Sequence, residues 1–169
     1  MTQYRIRGRQ YNSRNCFVCG LDNDMGLKAS FYETETGEVI AVCTPCAGHQ
    51  SYPQRLHGGV SSALLDETIG RAICVRYGDM VWGVTLELQL KYRKPVPYDV
   101  PVKVVGRTTS DRGRLFEGSG EIVLPGGEVA VEARGLYMKQ TIEKIAGSDF
   151  TDSQWGLSFD GHVPEIIEL

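Results

Sequence analysis

Between Leu56 and Tyr77 the chain carries a helical pattern that is apolar on every side, yet it holds two adjacent carboxylates near its middle. With Val60 at zero on a wheel of about 100° per residue, Ala63, Leu64, Leu65, Ile69, Ala72, Ile73 and Val75 spread around nearly the whole circumference. A helix apolar on all sides is buried on all sides, so the remaining chain must wrap around it. Asp66 and Glu67 are costly inside such a helix unless something pairs with them or uses them. The pattern predicts a helix from about His57 to Tyr77, entered through the pair Gly58-Gly59 and ended by Gly78.

The flanks read as strands. Leu27 to Glu33 and Glu38 to Cys43 form one pair about a turn at Glu35-Thr36-Gly37. Pro45 to Arg55 has no period and reads as a loop. After the helix, Val84 to Tyr92 alternates, with Leu86, Leu88, Leu90 and Tyr92 on one face and Thr85, Glu87, Gln89 and Lys91 on the other. Val102 to Thr109, Arg114 to Leu124 and Glu128 to Met138 complete the set, the last two joined at Pro125-Gly126-Gly127. Two strands, one buried helix and four strands make an α+β pattern: an antiparallel sheet of about six strands curled around one long central helix. The expected division is an N-terminal segment 1–26, a central domain 27–139 and a C-terminal extension 140–169 without firm period.

The 169 residues suffice for one domain with a real core. Eighteen Lys and Arg against 21 Asp and Glu give a formal charge of −3, which points to neither nucleic acid nor a membrane surface as partner. No apolar run approaches a membrane span, and Met1 to Gln10 lacks the apolar core of a signal peptide. Five cysteines, four of them in Cys-x-x-Cys pairs, suit a reducing, cytoplasmic setting. Cys16 and Cys19 are followed, after 23 residues, by Cys43 and Cys46. Paired Cys-x-x-Cys is a zinc pattern, and the turn at Gly37 returns Cys43 toward the first pair, so a structural zinc on all four is expected. The alternatives are buried free thiols and a disulfide.

His57-Gly58-Gly59 with an aspartate nine residues after the histidine resembles the hotdog-fold thioesterases of the phenylacetate-pathway type. The resemblance runs from about residue 14 to 139. It takes in Cys16-Phe17-Val18-Cys19-Gly20, the segment from His57 to Asp66, Thr85 to Pro95 and Arg112 to Glu121. It implies an acyl-CoA thioesterase, with no cofactor for catalysis, acting as a homodimer or a dimer of dimers with shared sites.

The first amides of a helix lack internal partners and sit at the positive end of its dipole. Bare Gly58 and Gly59 would let a thioester carbonyl approach them, Gly58 polarising it and Gly59 allowing close packing. Asp66 would act as general base toward water, or as nucleophile. Glu67, pointing about 100° away, is a lesser candidate near the substrate, and His57 is expected to orient the loop or to take part in catalysis. The resemblance adds Thr85, where a hydroxyl holds the water, and Arg93, Lys94, Arg112 and Arg114 as cations for coenzyme A phosphates. It also exposes a departure. Six residues before the histidine the family often has an asparagine as a second carbonyl donor; here Ser51 stands there, beside Gln50 and His49, so either Gln50 or Ser51 takes its place at the substrate or that donor is missing. Two other functions fit the same framework. A hydratase or dehydratase would need a catalytic histidine near the helix, and only His57 offers one. A non-enzymatic acyl-CoA sensor would use the cysteine pairs as its metal or redox module.

Overall fold

A computed structural model of the chain describes residues 2–147, 154–156 and 161–169. Among the described residues ten strands form in order: β1 (Gln3–Arg9), β2 (Ser30–Thr34), β3 (Val39–Cys43), β4 (Gln50–Tyr52), β5 (Arg55–Leu56), β6 (Trp82–Tyr92), β7 (Val102–Arg112), β8 (Leu115–Val123), β9 (Val129–Gln140) and β10 (Ile166–Glu168). Eight of them make one antiparallel sheet in the order β10-β1-β2-β3-β7-β8-β9-β6, and β4 and β5 form a small ribbon beside it. Helix α1 (Gly58–Arg71) crosses the sheet and packs on β3, β6, β7, β8 and β9. This is the hotdog arrangement that the pattern of one buried helix between strand groups implied.

The helix can lie close to the sheet because the strands beneath it are paved with glycine. A Cβ on Gly106 would stand 2.8 Å from the carbonyl oxygen of Thr68, and one on Gly118 would stand 2.4 Å from a methyl carbon of Ile69. Around that crossing Leu64, Leu65, Ile69 and Ile73 are fully buried against Val39, Val104, Phe116 and Ile122. Removing such side chains from water supplies the main drive for folding.

Three features differ from the expectations. The sheet has eight strands rather than about six, because β1 and β10 extend it. Tyr4, Ile6 and Ile167 form a second small core with Ile40 and Val105 on the sheet's other face. Arginines alternating with Tyr4 and Ile6 hide that strand in the sequence, and its partner lies at the far end of the chain. The long helix also ends earlier. Ala72 bonds back to Ile69 in a tightened turn, and a separate short helix α2 (Cys74–Tyr77) carries the chain to Gly78, whose φ of 63° makes it a true stop. Last, a bulge between Thr85 and Glu87 resets the alternation of β6. Thr85 therefore turns toward the helix together with Leu88 and Leu90, while Leu86 is 52% exposed.

Short helix α3 (Ile142–Ala146) follows β9, and Trp155 packs edge-on against Trp82. Phe150 of the extension lies outside the described residues. No helix among the described residues is long and apolar enough to cross a membrane.

Candidate active site

Two ends of β6 meet two parts of α1. At one end the Tyr92 hydroxyl donates to the carbonyl of Gly58 at 2.9 Å, and its ring lies 3.5 Å from where a Gly58 Cβ would be. Toward the other, Thr85 Oγ1 donates to Asp66 Oδ1 at 2.8 Å. The strand thus lies along the helix from its first residue to its middle.

Asp66 is half-buried, and a second hydroxyl reaches it from the adjacent strand. Tyr137 of β9 donates to the same Oδ1 at 3.2 Å and lies 3.3 Å from the Asp66 carbonyl oxygen. Its ring is fully buried and stacks on Phe116 at 5.0 Å. Burial, and then the Asp66 charge beside it, push the phenol well above its usual value, so Tyr137 stays a proton donor. With one carboxylate oxygen held by two hydroxyls, Asp66 Oδ2 is left as the atom that can take a proton or attack. Tyr137 went unmarked in the sequence. Its signal was a tyrosine amid Val131, Ala133 and other apolar strand residues, where a buried phenol requires an acceptor.

His57 caps the helix. Its Nδ1 accepts the Gly59 amide at 2.9 Å, and its backbone N–H donates to the His49 carbonyl. Through Nδ1 the ring orients the glycine loop. The Gly59 amide is thereby occupied, so of the glycine pair Gly58 is the candidate for a substrate carbonyl. Gln50 and Ser51 lie on β4, which pairs with β5 just before His57. Gln50 Oε1 accepts from the Tyr98 hydroxyl at 3.2 Å, and Ser51 is exposed.

Glu67 faces away from Asp66. Its Oε1 binds Arg71 at 2.9 Å, and Cys16 Sγ donates to its Oε2 at 3.2 Å. Arg71 is 2% exposed, donates to the Tyr11 carbonyl and lies 4.1 Å over the Phe31 ring. Glu67 is therefore tied to the N-terminal segment and is removed from the expected substrate contacts.

The expected four-cysteine set is not assembled. Among the described residues the metal-ligating atoms that converge, within 4.8 Å of one another, are those of Cys16, Cys19 and Glu67. Cys43 is buried in β3, its thiol pushed up to about 12 by desolvation, and exposed Cys46 lies 3.6 Å from His49 Nδ1.

Of the expected phosphate contacts, Arg93 pairs with Glu132 and Lys94 with Glu128. Arg112 and Arg114 are exposed on either side of Gly113 in the β7–β8 hairpin. A hollow of about 1080 Å³ lies on the outer face of β6, β9, β8 and β7, lined by Glu87, Arg93, Glu117, Glu132 and Arg134. Asp66 and Gly58 do not border it. They lie instead along β6, the strand with which the sheet ends.

Residues 54–131 match the Thioesterase superfamily family. Solved structures agree on the fold. A crystallised thioesterase superfamily protein is 30% identical with a TM-score of 0.68, over 74% of this chain and 63% of its own. This chain thus spans less than two thirds of that protein's length. The E. coli PaaI protein from the phenylacetic acid degradation operon is 16% identical with a TM-score of 0.60, over 68% of this chain and 80% of its own. A hypothetical thioesterase from Streptococcus pneumoniae, solved with coenzyme A, is 19% identical with a TM-score of 0.57, over 62% of this chain and 82% of its own. No curated protein matches the sequence.

Proposed function

We propose, from the match of residues 54–131 to the Thioesterase superfamily and from the hotdog fold, that the chain hydrolyses an acyl-CoA thioester to the free acid and coenzyme A. The observation that carries the proposal is the Asp66 carboxylate, fixed through one oxygen by Thr85 and Tyr137 at the seam of helix and sheet. This half-buried aspartate has two hydroxyls on one oxygen. The thioester carbonyl binds at the Gly58 amide, at the positive end of α1. Asp66 then removes a proton from water attacking the acyl carbon, or attacks it directly and is released by water.

Gly58 and Asp66 of one helix are eight residues, about 12 Å, apart, too far for one carbonyl and its attacking water. A site shared between two chains resolves this. The free edge of β6 and the exposed Thr85 beside Asp66 support a homodimer in which each α1 start meets the middle of its partner. Arg112 and Arg114 remain candidates for the coenzyme A phosphates, since Arg93 and Lys94 already hold carboxylates. The protein acts in the cytoplasm in this reading, and the phenylacetate-pathway likeness favours aryl or short to medium acyl groups.

The test is release of free thiol from aryl, short, medium and long acyl-CoAs, followed with a thiol reagent. Turnover on at least one class well above the blank supports the enzyme. Tight binding of all classes without thiol release would establish the sensor reading instead.

A further inference from the structure

We propose that Cys16, Cys19 and Glu67 form a three-ligand site for a zinc-type divalent cation that fastens the N-terminal loop to the middle of helix α1. The inference does not depend on thioester chemistry.

Cys16 and Cys19 lie on a tight turn in which the amides of Val18 and Cys19 point at Cys16 Sγ, at 3.3 and 3.5 Å. Such amides favour a thiolate there. Gly20 permits the turn: its amide donates to the Cys16 carbonyl at 2.8 Å, and a Cβ would stand 2.3 Å from that oxygen. The turn is anchored from outside. Asn12 Nδ2 donates to the Cys19 carbonyl at 2.6 Å, and Leu27 and Ala29 donate to the carbonyls of Phe17 and Val18. Ser13 Oγ lies 3.4 Å from Cys19 Sγ.

Glu67 is presented as a one-oxygen ligand. Buried Arg71 holds Oε1, and Oε2 faces Cys16. An outer partner that fixes a ligand in this way is a common feature of metal sites. The three ligand atoms lie within 4.8 Å of one another, and a shift of about 1 Å brings them to the edges of about 3.5–3.8 Å of a tetrahedral zinc with two sulfurs and an oxygen. The charge also balances. As the divalent ion enters, both thiols release their protons to solvent, so two thiolates, one carboxylate, the ion and Arg71 sum to zero. Two sulfur donors select zinc over magnesium or calcium. Cys16 and Glu67 are half-buried, which leaves a route of entry and room for water as fourth ligand.

The experiment uses the full chain, purified with reductant and without chelator. Metal analysis should give about one zinc per chain. Cobalt in its place should show thiolate-to-metal charge transfer with the intensity of two sulfurs. Cys16→Ser and Glu67→Gln should each weaken binding at least about tenfold, while Cys46→Ser and Cys43→Ala leave it unchanged. Absence of bound metal with micromolar zinc supplied, loss of metal in Cys46→Ser, a four-sulfur cobalt spectrum, or a Cys16–Cys19 disulfide in the reduced preparation would each overturn the proposal. The wild-type spectrum decides even if Glu67→Gln does not fold.

Discussion

Thr85 and Tyr137 are register partners across β6 and β9, and both aim their hydroxyls at one atom, Asp66 Oδ1. A carboxylate with two donors on one oxygen has its plane fixed, so its second oxygen points in one direction. In the proposed mechanism Tyr137 acts through Asp66, as a positioning residue. Tyr137→Phe keeps the ring stacked on Phe116 and removes only the hydroxyl. A hydrogen bond to a charged group contributes about 1.5–3 kcal/mol, so kcat should fall about ten- to a hundredfold with little change in KM. Thr85→Val should act in the same direction, and the pair should be non-additive because they share one acceptor. Steady-state kinetics of the two single variants and the double variant provide the check. Strictly additive losses would mean that the hydroxyls do not work on the same group.

Asp66→Asn asks the same question of the carboxylate itself. The amide keeps an oxygen for Thr85 and Tyr137, so the thermal midpoint should move by only a few degrees. It can neither take a proton nor attack a thioester. Turnover should drop by several orders of magnitude. Retention of more than about a tenth of wild-type turnover on a good substrate would remove Asp66 from the mechanism.

Away from the site, Asp111 predicts how the fold responds to acid. Its side chain is 5% exposed and receives Lys139, the Tyr77 hydroxyl at 2.8 Å and Arg76 at 2.9 Å. These donors, Lys139 foremost, hold the carboxylate below its usual value. The folded state therefore releases this proton more readily than the unfolded chain, whose Asp titrates near about 3.9. The stabilisation is full above about pH 5 and is lost as pH falls through the lowered folded value. Asp111→Asn should cost about 1–2 kcal/mol at pH 7, and the gap to wild type should narrow by about pH 3. Urea midpoints at the two pH values measure it; a gap of constant size would contradict the ionic account.

The sequence showed the helix and its carboxylates because burial on all sides leaves a local, periodic mark, and Asp66 stands out against it. Tyr137 left no such mark. Which buried strand residue meets Asp66 depends on the β6–β9 register and on the bulge after Thr85, and neither can be read from one strand alone. The same limit hid β1, whose partner β10 lies at the other end of the chain. The cysteine spacing identified Cys16 and Cys19 as a donor pair. It could not show that Glu67, turned from Asp66 by one helical step and held by Arg71, would reach them before Cys43 and Cys46 did.

The proposed two-chain site predicts that two defective chains can repair one another. Asp66→Asn removes the base, and Gly58→Val blocks the carbonyl amide, its side chain pressing on the Tyr92 ring 3.5 Å from the Cβ position. Each variant should be nearly inactive alone, since every site in either homodimer lacks one part. Co-refolded in equal amounts, random pairing makes about half of the dimers mixed. In a mixed dimer one site takes Gly58 from the Asp66→Asn chain and Asp66 from the Gly58→Val chain, and both are native; the other site has neither. Half the dimers with one good site of two should return about a quarter of wild-type activity. If each site were built within one chain, every site in every mixed dimer would keep one defect, and no activity would return. Differently tagged chains, copurified through both tags, show whether mixed dimers formed. Mixed dimers without activity would therefore refute the two-chain site itself rather than the refolding.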